Sequence, residues 1–286
     1  MKTKAVLLTL LVLVTLACSN DDNNPVEEQE EITELIIEKA TFNYLNSNET
    51  IVIYFDSVGR ITHFEQLSDS GLLTYEYVYN PDNSIMEKTL FYNGALQQQL
   101  IFLYDDAGRL IQVSREDQTG TNFIIEFNYS GNTVELTYPL NPYLYPSYYT
   151  FDSNNRLVNS EVKDWETNIH IATDYIYAGN NLTQIKTTYL NCSDCEDEII
   201  VLTYDNHPNP LLNDFGNKFF YYSDADPYSF LGRFHFSVNN YLTYTPDNGA
   251  YYMESIIEYN QYGYPVSINE YDNENPYCTI TFEYYE

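Results

Sequence analysis

From about residue 42 to the C-terminus, apolar and polar residues alternate with a period of two. Leu100, Phe102 and Tyr104 fall on one side of such a run; so do Tyr75, Tyr77 and Tyr79, then Ile125, Phe127 and Tyr129, then Ile200, Leu202 and Tyr204, then Ile280, Phe282 and Tyr284. The opposite side carries Glu76, Glu126, Asn128, Asp174, Thr203, Glu258 and Glu283 among some aliphatics. Period two with one apolar face predicts strands of a one-sided antiparallel sheet. No stretch after residue 31 shows the 3.6-residue period of an amphipathic helix, and Ile32–Ala40 is read as the first strand.

The runs are punctuated by a recurring turn. Phe55-Asp-Ser-Val-Gly-Arg-Ile61, Tyr104-Asp-Asp-Ala-Gly-Arg-Leu110 and Phe151-Asp-Ser-Asn-Asn-Arg-Leu157 are its clearest copies. Looser ones start at Tyr79, Tyr129, Tyr177, Tyr204, Phe236 and Tyr259, spaced about 25 residues apart, and Tyr284 begins a truncated last copy. Each copy suits a hairpin: the Asp bonds its own backbone, and Gly59, Gly108, Gly263 or Asn155 supplies a positive φ. A single hairpin cannot bury its apolar face, so neighbours must share a core. Two strands per copy predicts on the order of 18–20 strands. Since open sheets seldom pass ~10 strands without curling, the expected fold is all-β: a repetitive antiparallel hairpin meander in a strongly curled or superhelical open sheet. High charge would then guard its two edges.

The N-terminus has a different pattern. Lys2 and Lys4 precede an apolar run, Ala5–Val14, that is too short to span a membrane. Thr15-Leu16-Ala17-Cys18 follows, then an acidic, unpackable stretch to Glu31. This is the layout of a bacterial lipoprotein signal. The expected organisation is a signal peptide over 1–17, a lipidated Cys18 with a flexible acidic tether over 18–31, and one repetitive β domain over 32–286. The partner implied is a membrane, held through two or three acyl chains on one cysteine.

The Tyr-Asp-x-x-Gly-Arg-Leu pattern resembles the tyrosine–aspartate repeats of Rhs-type proteins. With the lipoprotein start, the chain resembles a group of uncharacterised Bacteroidota lipoproteins built from such repeats. That resemblance implies an outer-membrane lipoprotein displayed on the cell surface. It is specific for architecture and silent on activity.

Charge narrows the partners. The chain has 12 Lys and Arg against 42 Asp and Glu, a formal charge of −30. Nucleic acid is excluded as a natural partner because phosphate binding needs clustered cations. No G-x-S-x-G, H-E-x-x-H or P-loop pattern occurs, and His63, His170, His207 and His235 show no ligand spacing. No catalytic residue, metal or cofactor is therefore assigned. Cys192-Ser-Asp-Cys195 sits among acids that oppose a reactive thiolate, which favours a small turn disulfide; pairing with Cys278, or zinc, are the alternatives.

Two segments interrupt the repeat, Tyr138–Tyr149 and Asp205–Leu231, both proline-bearing and so loops or edges. Tyr143, Tyr145, Tyr148 and Tyr149, with Trp165 near a hairpin tip, are the candidate ligand contacts. The expected function is non-enzymatic: a lipid-anchored surface scaffold that binds an extracellular glycan or protein. A carboxylate-based polysaccharide hydrolase is the rival. An accessory or immunity partner of an Rhs-type toxin is a third reading.

Overall fold

The computed structural model describes residues 35–117, 120, 123–141, 143–163, 170–212, 237–247, 249 and 252–285. The signal segment, Cys18, the tether, Trp165 and residues 213–236 lie outside them. All regular structure among the described residues is strand. The first half of the chain gives β1 (Ile37–Tyr44), β2 (Thr50–Phe55), β3 (Ile61–Ser68), β4 (Gly71–Tyr79), β5 (Ile85–Tyr92), β6 (Ala95–Tyr104), β7 (Leu110–Asp117), β8 (Phe123–Ser130) and β9 (Thr133–Thr137). The second half gives β10 (Ser147–Phe151), β11 (Leu157–Lys163), β12 (His170–Ala178), β13 (Asn181–Tyr189), β14 (Glu198–Pro208), β15 (Asn239–Pro246), β16 (Met253–Tyr259), β17 (Pro265–Asp272) and β18 (Asn275–Tyr284). The first strand begins at Ile37, later than the sequence suggested.

Each strand pairs antiparallel with the next, and β1 pairs with β18. The sheet is therefore a closed 18-stranded barrel, which corrects the expectation of an open, superhelical ribbon. At the seam Ala40 faces Phe282, Thr41 faces Thr281 and Phe42 faces Ile280. Closure pairs the backbone groups that an open sheet would leave at two edges.

The device that curls the sheet recurs at the turns. Register shifts by one residue at Tyr54/Phe55, Val78/Tyr79, Leu103/Tyr104, Thr150/Phe151, Ile176/Tyr177 and Glu258/Tyr259. In each case the returning strand carries the extra residue: Thr62, Met86, Ile111, Val158, Thr183 or Val266. Such bulges increase local twist and bend the strand. They also let the turn's aromatic residue and the branched residue after it, such as Phe55 and Ile61, both point inward.

The interior is dry and filled. Phe102, Val113, Phe127, Leu136, Leu182, Ile185 and Ile200 belong to one buried cluster; Ala40, Phe42, Ile53, Ile268 and Ile280 belong to another. Tyr77, Tyr204 and Tyr277 pack against both. A few polar groups share this interior. Lys88 is 3% exposed, with its ammonium 4.1 Å from the ring centre of Tyr75. Glu270 is 1% exposed on β17. Arg115, opposite Leu100, lies 5.0 Å over Phe123. The outer face is the wet one. Glu65, Glu76, Glu87, Glu126, Glu135, Glu161, Asp174, Glu254 and Glu258 stand within the strands, on the side away from the core. A lipid-facing band would pay heavily for charges at such depth, so this wall is built for water. The barrel has the reverse polarity of a membrane-spanning pore.

Candidate functional site

The repeated turns line one rim. In three copies the aspartate does the same job. Asp56 accepts bonds from the Val58 and Arg60 amides at 3.1 and 2.9 Å, and from the Arg60 guanidinium. Asp105 does so with Ala107 and Arg109, and Asp152 with Asn154 and Arg156. Each arginine then lies over the tyrosine that opens the next copy: Arg60 over Tyr79 at 4.7 Å, Arg109 over Tyr129 at 4.8 Å and Arg156 over Tyr177 at 4.5 Å. Tyr79 and Tyr129 donate back to the Ile61 and Leu110 carbonyls at 2.6 and 2.9 Å, and Tyr284 does the same to Pro265 at 2.7 Å. Asp, Gly, Arg and Tyr are thus used up in holding one copy to the next. Partial burial pushes the Asp56 and Asp152 carboxyls up, but the amide and guanidinium hydrogen bonds outweigh it and hold both below the ordinary carboxylate range.

Among the looser copies, the one at Tyr204 keeps the aspartate and loses the arginine. After Tyr204-Asp205 the arginine position holds Asn209; the Asp205 carboxylate keeps the bond from the His207 amide and, in place of the arginine, accepts from the Asn240 amide and the Tyr259 hydroxyl. His207 takes the arginine's place over the next tyrosine, stacked on Tyr259 at 4.1 Å and 25°, with Nδ1 3.8 Å from Asp205. The insertion after Leu212 lies outside the described residues.

The opposite rim carries the aromatic candidates. The β9–β10 connection exposes Tyr143, at 80% the most open large hydrophobic side chain among the described residues. Tyr145 has the Lys163 ammonium 4.0 Å from its ring centre. Tyr148, on the outer face of β10, donates to Glu135 at 3.0 Å and faces Glu161 on its other side. The bond to Glu135, then burial, then the two negative charges raise its proton affinity. His170 adds Nε2 at 3.5 Å from Glu161 and sits opposite Lys163. Strand pairing therefore gathers Tyr148 beside Glu135 and Glu161, and Lys163 and His170 opposite each other next to Glu161, with Tyr145 over Lys163; Tyr143 stands open in the same β9–β10 connection. The four polar members gave no signal in sequence, because only register makes them neighbours. Tyr149 has to be removed from the set: it shares a face with Ser147 and Phe151, points inward and packs on the core. Trp165 lies outside the described residues.

The remaining chemistry is structural. Cys192 and Cys195 are disulfide-bonded with Cα atoms 5.3 Å apart in the β13–β14 connection, and Cys278 is buried on β18. No group of three or more metal-binding side chains occurs among the described residues.

No family model matches the chain, and no curated protein matches it. Solved structures do. A porin-like protein from Bacteroides uniformis is 11% identical over 87% of this chain and 98% of its own, with a TM-score of 0.48. A porin-like protein from Bacteroides vulgatus is 13% identical over 88% and 99%, with a TM-score of 0.36. A chain in a TcdB2-TccC3-Cdc42 structure is 13% identical; the match covers 77% of this chain and 12% of that one, with a TM-score of 0.31. None of these carries a function across to this chain.

Proposed function

We propose that this chain is a lipid-tethered barrel of the cell envelope that binds an extracellular glycan, without chemistry, through the open tyrosines of its second rim. The observation that supports the reading is the cluster of Tyr143, Tyr145 and Tyr148. These rings are 80%, 41% and 39% exposed on one rim, whereas most described aromatics of the barrel are buried or half-buried. Sugar rings stack on such faces, and Glu135, Glu161, Lys163 and His170 offer both acceptors and donors for hydroxyls.

The barrel's filling removes the usual alternative, a lumen. What is left for recognition is wall and rims. The turn rim is committed to its own Asp–Arg–Tyr bonds, and the first described residues lie there too: the Ile36 carbonyl accepts from the Tyr285 amide. Hydrolysis is disfavoured at the tyrosine rim. Glu135 and Glu161 flank Tyr148 on an open wall, and Glu161 is 44% exposed, whereas a general acid needs a carboxyl kept protonated by burial.

The test is a glycan array probed with the full chain and with Tyr143→Ala, Tyr145→Ala and Tyr148→Ala. Binding that falls about tenfold or more in these variants and persists in Tyr54→Ala supports the proposal. No binding across the array, or equal binding by all variants, removes it. Metabolic labelling with a palmitate analogue, lost in Cys18→Ser, tests the tether separately.

A further inference from the structure

Away from that rim, the outer wall of β4–β8 shows a second feature. Its outward residues form an apolar band. Val78, Met86, Leu103 and Ile111 are 43%, 41%, 46% and 39% exposed, and the half-buried Ile101 of β6 and Ile124 of β8 share the face. Register sets them among polar neighbours: Val78 faces Glu87, Glu87 faces Ile101, Ile101 faces Ser114 and Ser114 faces Ile124, so apolar side chains alternate with Glu87 and Ser114 across the wall. Carboxylates border it throughout, from Glu76, Glu87, Glu116 and Glu126 on the wall to the exposed Asp106 at the turn rim.

These five strands contain two basic residues, Lys88 and Arg115. Both face inward, opposite Tyr77 and Leu100. Arg109, at the edge, is engaged by Asp105. The wall thus combines exposed aliphatics with uncompensated negative charge, and its own cations are turned away from it.

We propose that this wall is a docking surface for a cationic amphipathic helix. Charge complementarity selects the occupant: an acidic or neutral partner would meet like charge or bury carboxylates unpaired, whereas lysines flanking an apolar stripe answer both features at once. The dimensions agree. Four strand spacings of ~4.8 Å make about 19 Å, the length of roughly thirteen helical residues. A second copy of this chain is excluded as occupant by its own charge of −30.

The probe is an 18-residue peptide of leucine and lysine arranged as an amphipathic helix, beside a scrambled peptide of the same composition. Binding to the full chain in detergent is measured by calorimetry at ~0.15 M salt. The amphipathic peptide should bind at least tenfold tighter than the scrambled one. Leu103→Glu should weaken it about tenfold, although it adds negative charge, and Glu87→Gln with Glu126→Gln should weaken it and flatten its salt dependence. Ile256→Glu, on the far wall at 52% exposure, should leave it unchanged. All four positions are on the outer face, so the fold survives. Equal binding of both peptides, tighter binding by Leu103→Glu, or an equal loss in Ile256→Glu would mean mere charge attraction and would overturn the proposal. So would a Kd above ~1 mM for wild type.

Discussion

Whether the sheet closes can be decided with one pair of cysteines. Thr41 and Thr281 are opposite each other on the outer face, one on the first strand and one on the last. Opposed residues of an antiparallel pair have Cα atoms roughly 4.5–5.5 Å apart, inside the range of about 4.4–6.8 Å that a disulfide accepts. Both side chains are at least partly open, so Thr41→Cys with Thr281→Cys costs little packing. In the barrel the two thiols oxidise in air without catalysis. In an open ribbon they would sit at opposite ends of the sheet and stay reduced. The crosslink encloses a loop of more than roughly 200 residues, for which chain entropy alone gives up to about 5 kcal/mol, with 2–4 kcal/mol usual in practice. For a domain of this size that is a rise in Tm on the order of 10 °C. Non-reducing electrophoresis with thiol counting reads the bond, and melting with and without reductant reads the gain. Native protein whose two cysteines remain alkylatable under oxidising conditions would refute closure, and so would a bond that leaves Tm unmoved.

The turn clamps give a contrast between two tyrosines. Tyr129→Phe removes a 2.9 Å bond to the Leu110 carbonyl and should cost about 1 kcal/mol in urea unfolding, whereas Tyr177 has a buried hydroxyl with no hydrogen-bond partner among the described residues, so Tyr177→Phe should be neutral or stabilising. The pH limits differ in cause. Asp56 and Asp152 have folded proton affinities below the unfolded value, so their contribution is full above about pH 4 and is lost as pH falls through the folded values; Asp56→Asn with Asp152→Asn should lower Tm at pH 7 and flatten its decline in acid. Burial raises the hydroxyls of Tyr79, Tyr177, Tyr204 and Tyr284, and that of Tyr104 to about 12. Their contribution is full below the unfolded value near 10 and is lost above it, so absorbance at 295 nm should show late tyrosinate formation that coincides with unfolding. Cys192→Ser with Cys195→Ser should cost roughly 2 kcal/mol by loop closure, with no change in binding.

Much of the barrel is legible in sequence because its unit is local. Alternation names the inward residues, and the Asp and Gly of each turn name the hairpins. What alternation cannot show is the sum of the bulges. Thr62, Met86 and Ile111 look like ordinary strand residues, yet each adds a bend, and only their repetition closes the ring. The same bulge hides Lys88. Counted without it, Lys88 belongs to the face of Met86, which is 41% exposed; with it, Lys88 crosses to the inside. Tyr149 was legible and misread, since Phe151 two residues on is a core member of the turn motif. The setting of Tyr148 was not legible at all, because Glu135 and Glu161 come from separate strands.

The distribution of charge carries a last argument. An acidic surface would defend an open sheet best at its terminal strands, yet the middle of the outer face there carries no charge. Thr279 and Thr281 of β18 stand beside Thr41 and Asn43 of β1, which stand beside Thr50 and Val52 of β2. The one ionic pair at the seam, Lys39 with Glu283 at 2.6 Å, is attractive. Most of the other outer-face acids lie away from it on β3–β9, β11, β12 and β16, with Glu65, Glu76, Glu87, Glu116, Glu126, Glu135, Glu161, Asp174, Glu254 and Glu258. The charge therefore does not guard edges. It is kept away from the one place where the two ends of the chain must meet without repulsion. Placing it there should show the cost. Thr41→Glu with Thr281→Glu sets like charges directly opposite each other and should destabilise the barrel by about 1 kcal/mol, and more at low salt, where screening is weak. Thr41→Lys with Thr281→Glu should be neutral or better. Urea midpoints at ~0.05 and ~0.5 M NaCl measure both. If the two double variants unfold alike at each salt, the bare seam has no electrostatic purpose and the reasoning fails.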